Sequence, residues 1–438
     1  MCPVATPPAP RARSTSITSK LILTNGSLSL IDQIVVSGSR FATTIAIGRF
    51  CGVEELANYS LLMSLFLLAL GIQQSLVMGP FSIFSNRSSE NADPDYPRTV
   101  LALFWLLALS MSLVVTGGAG IAALVGPAQL NGTMLALLAI CLPALLAREL
   151  VRQLGFAALN LRDAVITDTI VACVQLTGIL LLVLNGMLDA YTAVIATSLG
   201  TAIASGLYFY RRRSRLTPRT SMLAAVARRH WNFGRWNLGS QVAELLTWHS
   251  LSWILLFQVG LEGTGIFAAC MTIVALLNPV LLAANNLMAP HAARAFDQGG
   301  IASLRRMIFQ ATCGLGALVG VFCCVIAIFG QDLLELIYGS PSYASGVGAL
   351  IIASFALLAE VIGDTANHAL RALDHPHVNL RSSCLGLVVM LILAVPLIHS
   401  LQITGAALAL LAGSSATSWA RWHALLAISA DPSEEETL

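Results

Sequence analysis

The chain has 438 residues, of which 56% are hydrophobic and 11% charged, and its mean hydropathy is +0.78. A soluble domain could not bury this much apolar surface, so the composition excludes a water-soluble globular protein and predicts that lipid is the main solvent. The formal net charge of +2 says little by itself, because the placement of charge matters more than its sum in a membrane protein. No nucleic-acid partner is expected.

The first residues and the cysteines predict little beyond the membrane segments. The first twenty residues lack the apolar core and the cleavage site of a signal peptide, so we expect residues 1–26 to form a disordered cytoplasmic tail. Nine cysteines are scattered, mostly within apolar runs, without the spacing of a metal site or a disulfide framework. We therefore predict no metal and no cofactor.

Apolar runs long enough to span a bilayer, which takes roughly 20 residues, recur along the chain and predict twelve transmembrane helices. The predicted spans are 27–48, 58–80, 99–124, 133–155, 165–186, 190–210, 237–258, 264–289, 308–329, 345–368, 382–399 and 403–422. Because lipid offers the backbone no hydrogen-bond partners, we expect an all-helical membrane fold.

Basic residues are distributed unequally between the two sets of loops. The even-numbered loops and the termini hold almost all of them, whereas the odd-numbered loops hold only Arg49. By the positive-inside rule, this predicts a multi-pass protein of the bacterial inner membrane with both termini in the cytoplasm. We refer below to the odd-loop face, predicted to be external, and the even-loop face, predicted to be cytoplasmic.

The two halves of the chain are related by an internal repeat. GVEELANY, from Gly52, and GLEGTGIF, from Gly260, match in register 208 residues apart, each in the first odd-numbered loop of its half. Parallel repeats of six helices predict two pseudo-symmetric lobes around a central cavity. The predicted divisions are a tail at 1–26, an N-lobe at 27–210, a basic linker at 211–236, a C-lobe at 237–422 and an acidic cytoplasmic tail at 423–438.

Polar side chains inside the spans are the best candidates for functional sites, because a charge in lipid costs several kcal/mol unless it faces a cavity or a partner. Five residues at helical spacings on the first and seventh spans are candidates for substrate binding: Asp32, Arg40, Gln241, Glu244 and Trp248. Three residues step by four along the tenth span and are candidates for ion coupling: Glu360, Asp364 and His368.

A purely structural interpretation remains open for each of these residues. A neighbouring helix could neutralise a buried charge, which would then serve packing alone. Three further charged residues, Arg148, Glu149 and Arg152, lie near the even-loop end of the fourth span, where snorkelling to the interface would explain them.

No catalytic motif is present. The sequence has no P-loop, no HExxH and no GxSxG, and its odd-numbered loops are too short to hold an external catalytic domain. We therefore expect a protein that is not an enzyme and does not use ATP directly. The remaining function is transport driven by an ion gradient or by the supply of substrate.

Residues 27–80 resemble the opening of bacterial polysaccharide-export flippases of the multidrug/oligosaccharidyl-lipid/polysaccharide (MOP) superfamily. The residues that carry the resemblance are Phe41, Arg49, Gly52, Tyr59 and Pro80. The motif is repeated in the second half at Gly260, Gly265 and Phe267. The resemblance implies a MATE-like plan of two lobes with twelve to fourteen helices.

The resemblance also implies a function. Similar flippases move undecaprenyl-pyrophosphate-linked sugars from the cytoplasmic to the external leaflet by alternating access, and Arg40 could bind the pyrophosphate. The alternative is a cation-coupled multidrug antiporter of the same superfamily, coupled to H⁺ or Na⁺ through acids such as Asp32 and Glu360. A membrane-bound polysaccharide polymerase is a third hypothesis. The expected partners are the lipid-linked glycan, membrane lipids and a coupling cation.

Overall fold

A computed structural model describes residues 15–86, 95–125, 132–157, 161–213, 219–220 and 222–428. These residues form twelve long helices, a short 3₁₀ helix at Pro341–Gly346 and no strand. The N-lobe comprises α1 Thr15–Phe50, α2 53–86, α3 Tyr96–Val125, α4 Gly132–Ala157, α5 Leu161–Leu184 and α6 Ala190–Arg211. The C-lobe comprises α7 Leu223–Gln258, α8 261–298, α9 301–338, α10 Val347–Ala372, α11 376–401 and α12 403–428.

Most of these segments qualify as membrane helices. Within the described residues, eight helical stretches are long and apolar enough to cross a membrane by length and composition. Two of the eight contain a break in helical geometry, at Gly299 and Gly300 and at Gln402, and so each comprises two helices. The remaining segments, α1 and α7, are also long enough to cross a membrane, but their sequences are more polar than those of the eight stretches. Many large apolar side chains, such as Ile140 at 78% exposure, face outward, as contact with lipid requires.

The predicted helices are confirmed, but several extend beyond the predicted spans. Residues 15–26, expected in a disordered tail, form the first turns of α1, and residues 223–236, expected in the linker, form the first turns of α7. Residues 423–428, expected in the acidic tail, end α12. Hydropathy finds only the apolar part of a helix, whereas backbone hydrogen bonding continues into polar sequence. The other parts of these predicted segments, at 1–14, 214–218, 221 and 429–438, lie outside the described residues.

The repeated motifs begin equivalent helices. Gly52 precedes α2 with φ 93° and ψ −177°, and Gly260 precedes α8 with φ 95° and ψ −170°. Glycine is favoured at both positions because other residues rarely adopt such a positive φ. Both helices also change their winding further along: α2 contains a π-helical segment, Gln74–Met78, and α8 contains a 3₁₀ turn, Ala275–Leu277.

Each lobe has its own packing, and the two lobes meet along α2. In the N-lobe α1 packs on α5, and α4 packs on α3, α5 and α6; in the C-lobe α10 packs on α8 and α9, and α7 packs on the α11–α12 unit. Helix α2 contacts both α7 and α8. A Cβ at Gly265 would lie 2.0 Å from the Val53 carbonyl oxygen, so α8 approaches α2 too closely for a larger residue there.

The lobes also touch at the odd-loop face through the end of α1. The Tyr343 hydroxyl donates to the Gly48 carbonyl oxygen at 2.8 Å, and Arg49 Nη1 donates to the Leu336 carbonyl oxygen at 3.3 Å. These bonds join the end of α1 to the end of α9 and the 3₁₀ helix before α10. A movement that separated the lobes at this face would have to break them.

Candidate functional site

The N-lobe contains a buried network of charges from α1, α4 and α5. We call it the N-lobe charge cluster, and its members are Asp32, Arg40, Arg148, Glu149, Arg152 and Asp168. Arg152 is central: it pairs with Asp32 at 2.9 Å, with Glu149 at 3.0 Å and with Asp168 at 2.8 Å. Arg148 donates from Nε to Asp168 at 2.6 Å. Three arginines and three acids make the cluster formally neutral.

Arg40 differs from the other arginines of this cluster. Its one ion contact among the described residues is with Glu149 at 3.7 Å, beyond hydrogen-bonding distance. It lies beside Arg148, Arg152 and Tyr59, within the body of the lobe, yet 44% of its side chain is exposed. The Arg40 guanidinium therefore has donors available for a ligand.

The C-lobe contains a second network, formed by α7, α10, α11 and α12. We call it the C-lobe charge cluster, and its members are Glu244, Glu360, Asp364, Ser383 and Arg421. Arg421 is 1% exposed; it donates to Glu244, to Asp364 at 2.8 Å and to the Ser383 hydroxyl at 3.3 Å. Three carboxylates thus face a single guanidinium, and this cluster is formally acidic.

A small cleft of about 20 Å³, which is room for about one water molecule or a small cation, adjoins the C-lobe charge cluster. Its walls include Glu244, Trp248, Glu360, Ser383 and Arg421. One carboxylate oxygen of Glu360, Oε2, is buried and has no hydrogen-bond partner among the described residues, while the Trp248 side chain hydrogen-bonds the same carboxylate. An unpaired carboxylate oxygen in a polar cleft can accept a proton or contribute to binding a small cation.

The two charge clusters occupy equivalent places in the two lobes. Helices α1, α4 and α5 of the first half correspond by chain order to α7, α10 and α11 of the second. Counted along their helices at 1.5 Å per residue, Glu149 and Glu244 lie about 25 and 21 Å from the odd-loop ends of α4 and α7. Both clusters therefore lie at similar depth, beyond the middle of a hydrocarbon core of about 30 Å counted from the odd-loop ends of these helices.

The structure brings some of the predicted residues together and separates others. Glu244, Trp248, Glu360 and Asp364 meet in or beside the C-lobe charge cluster, and Asp32 and Arg40 belong to the N-lobe charge cluster. Gln241 lies on the neighbouring strip of α7, where its Cγ would be 3.3 Å from a Cβ at Gly71 of α2.

His368 also lies apart from these clusters. It is one turn beyond Asp364 on α10, and its Nε2 lies 3.3 Å from Asn285 Oδ1 on α8. Its Nδ1 is buried without a hydrogen-bond partner among the described residues. The predicted ion-coupling trio is therefore divided between the C-lobe charge cluster and the contact of α10 with α8.

Snorkelling, the explanation expected for Arg148, Glu149 and Arg152, is wrong. Arg148 and Glu149 are buried, and the Arg152 side chain is 12% exposed, because these residues pair with acids of α1 and α5 and with one another. Two further charged members of the clusters, Asp168 and Arg421, were not predicted. Asp168 lies inside the predicted fifth span, where the rule that identified Asp32 could also have found it. Arg421 lies at the end of the last span, where an arginine is usually an anchor.

Solved structures of similar fold include transporters in different conformations. An inward-facing multidrug resistance MATE family transporter of the MOP superfamily matches with a TM-score of 0.72 at 15% identity, over 93% of this chain and 96% of that one. An outward-facing conformation of a MATE family multidrug resistance transporter gives 0.65 at 15% identity, over 93% and 96%. A MOP superfamily transporter from Pyrococcus furiosus, whose reversed pocket polarity is said to suggest a different function, gives 0.65 at 14% identity, over 92% and 95%.

No protein-family model matches the sequence, and no curated protein sequence matches it. At 14–15% identity, structural likeness shows the fold alone. The chain therefore has the fold of MATE family transporters of the MOP superfamily, which confirms the predicted all-helical, MATE-like architecture.

Proposed function

We propose that the chain is a membrane transporter that works by alternating access and is not an enzyme. The observation that carries this proposal is the pair of charge clusters at similar depth in the two lobes of a MATE-type fold. Ionisable residues inside membrane segments are rare and mark substrate and ion pathways. The contacts of Gly48 and Arg49 with the C-lobe form the closure at the odd-loop face that alternating access would open.

We propose a lipid-linked oligosaccharide or polysaccharide precursor as the substrate. Arg40 supports this choice, because an accessible guanidinium inside the bundle suits a phosphate or pyrophosphate group, which it can bind through paired hydrogen bonds. The predicted cytoplasmic position of the even-loop face gives the direction, from the cytoplasmic to the external leaflet of the bacterial inner membrane. The lipid tail would stay in the bilayer while the headgroup crosses between the lobes.

Replacing Arg40 by alanine tests this substrate. We expect Arg40→Ala to reduce flipping of a fluorescently labelled undecaprenyl-pyrophosphate sugar in proteoliposomes by at least about tenfold, because the loss of a charge-assisted contact is worth roughly 1.5–3 kcal/mol. Dithionite quenching of the label in the outer leaflet measures the rate. Arg294→Ala, which removes an exposed arginine from α8, is the matched control. Equal rates in the two variants would remove Arg40 from the mechanism.

We propose that the C-lobe charge cluster carries the coupling cation, H⁺ or Na⁺, with Glu360 and Asp364 as its principal groups and His368 as a neighbouring one. Its excess of carboxylates over guanidinium groups and the unpaired Glu360 Oε2 support this role. We expect Glu360→Gln to abolish the dependence of transport on pH or on sodium, because the amide can neither be protonated in this range nor attract a cation. Transport rates across a series of pH values and sodium concentrations measure the effect.

The matched control for this variant is Glu335→Gln, which changes an acid on α9 whose partner is the exposed Gln331. The control should keep the wild-type dependence. If Glu360→Gln also keeps it, coupling does not take place at Glu360.

The second candidate function is cation-coupled multidrug antiport. The acidic C-lobe charge cluster with Trp248 in the wall of its cleft favours it, because an aromatic face and carboxylates together bind organic cations. Efflux of ethidium from proteoliposomes under a proton or sodium gradient tests this function. Ethidium efflux without flipping of the labelled glycan lipid would establish the antiporter in place of the flippase.

A further inference from the structure

The first turns of α7 carry an exposed surface that neither charge cluster explains. We define the α7 extension as residues 223–238, the part of α7 that precedes its last twenty residues. We propose that the α7 extension binds the headgroups of anionic phospholipids in the adjacent leaflet. This inference does not rest on the proposed transport function.

The α7 extension is held in place by one buried strip. Val226, His230 and Gly234 are its buried residues at spacings of four. His230 Nδ1 donates to the Leu76 carbonyl oxygen at 2.9 Å, and its Nε2 lies 3.0 Å from the Tyr96 hydroxyl. Leu76 is in the π-helical segment of α2, where irregular winding frees carbonyl groups from the helical pattern.

The same strip fixes the distance between α7 and α2. A Cβ at Gly234 would lie 2.3 Å from the Ser75 carbonyl oxygen, and Asn237 Nδ2 donates to Ser75 Oγ at 3.2 Å. The extension is therefore docked on the end of α2 in one orientation. Its remaining faces point away from the protein.

Three large aromatic residues occupy these outward faces. Trp231, Phe233 and Trp236 are 51%, 43% and 47% exposed. Counted back from Gln258 at 1.5 Å per residue, Trp236 lies about 33 Å and Trp231 about 40 Å from the odd-loop end of α7. A hydrocarbon core of about 30 Å ends before these positions, and the headgroup layer begins there. Tryptophan is enriched at this boundary because its ring is apolar and its N–H is polar.

The charges of the α7 extension are all positive. No acidic residue occurs between Arg211 and Glu244. Arg212 and Arg219, just before the extension, pair with Asp163 and Asp95. The arginines of the extension itself, Arg228, Arg229 and Arg235, are exposed, and none has a carboxylate partner among the described residues.

The position of Arg229 shows how an exposed guanidinium can bind a lipid phosphate. Its guanidinium lies 3.8 Å from the centre of the Phe84 ring, so the cation is held over an aromatic face. In this arrangement the N–H groups at the edge of the guanidinium stay available. Unneutralised guanidinium groups beside tryptophans at headgroup depth match the negative phosphate surface of anionic lipid.

Tryptophan quenching by brominated lipids tests the proposal with the full-length chain in phosphatidylcholine nanodiscs. Equal small amounts of brominated phosphatidylglycerol or brominated phosphatidylcholine are added in parallel. We expect brominated phosphatidylglycerol to quench the tryptophan fluorescence about twofold more than brominated phosphatidylcholine does. The reason is that the arginines concentrate the anionic lipid beside Trp231 and Trp236. The excess should disappear in W231F/W236F, which removes the reporting residues, and in R228Q/R229Q/R235Q, which removes the charges.

The control variant is R305Q/R306Q, which removes two exposed arginines from the start of α9 on the same face and should keep the excess. Raising the salt concentration with the wild-type protein should also reduce the excess, since exposed charges are screened, and this needs no mutation. Equal quenching by the two lipids in the wild type would overturn the proposal. So would an excess that survives in R228Q/R229Q/R235Q, because the surface would then serve another partner.

Discussion

Replacing Arg421 by glutamine should destabilise the protein by about 3–5 kcal/mol, the range for breaking a buried ion pair by removing one partner. Arg421 is almost fully buried and neutralises Glu244 and Asp364 from two other helices. Glutamine leaves the Glu244 and Asp364 carboxylates without their guanidinium partner, beside a third carboxylate at Glu360. The expected measurement is a midpoint of thermal unfolding in detergent that is lower by about 3–5 °C.

Two companion variants separate the charge effect from simple loss of packing. Arg421→Lys keeps a cation but lacks the planar fork that reaches Glu244 and Asp364 together, so we expect an intermediate midpoint. E244Q/R421Q removes one of the stranded carboxylates and should be more stable than Arg421→Gln alone. If all these variants have the same midpoint of thermal unfolding as the wild type, the cluster does not stabilise the C-lobe.

The helices were predictable because membrane segments obey a simple constraint: each must supply enough apolar length to cross the bilayer. The ends were less predictable, because polar turns such as residues 223–236 of α7 extend a helix without any hydropathy signal. The equivalence of the two halves was visible in the motifs at Gly52 and Gly260, whose matching conformations the structure shows.

The members of the clusters were partly predictable, but their partners were not. Asp32, Glu244 and Glu360 stand out as charges inside apolar runs. Which helix neutralises each of them depends on how α4 and α12 pack, and sequence spacing within one helix carries no information about that. Arg421, which looks like an ordinary end-of-helix arginine, consequently became visible as the centre of a cluster only in three dimensions.

The direction of a side chain was also beyond the sequence. Gln241 and Glu244 lie one turn apart on α7, and spacing alone assigns both to one polar face. Helix α7 packs between α2 and the α11–α12 unit, so neighbouring strips of it meet different partners. Gln241 consequently contacts the Gly71 region of α2, whereas Glu244 meets Arg421.

Replacing Arg152 by glutamine should destabilise the N-lobe by about 3–5 kcal/mol for the same physical reason. Arg152 joins α1, α4 and α5 by pairing with Asp32, Glu149 and Asp168. Asp168 keeps Arg148 at 2.6 Å, but Asp32 has no second ion partner among the described residues and is 1% exposed. Thermal unfolding in detergent measures the loss.

The structure supplies both a control and a rescue for this variant. Arg40→Gln should shift the midpoint far less, because the Arg40 guanidinium is partly exposed and 3.7 Å from its nearest acid. D32N/R152Q should recover part of the lost stability, since it removes the carboxylate that Arg152→Gln strands between α1 and α4. Without such recovery, the loss in Arg152→Gln would come from packing. A stable Arg40→Gln that fails to flip lipid, beside an unstable Arg152→Gln, would separate the arginine available to substrate from the one that holds the lobe together.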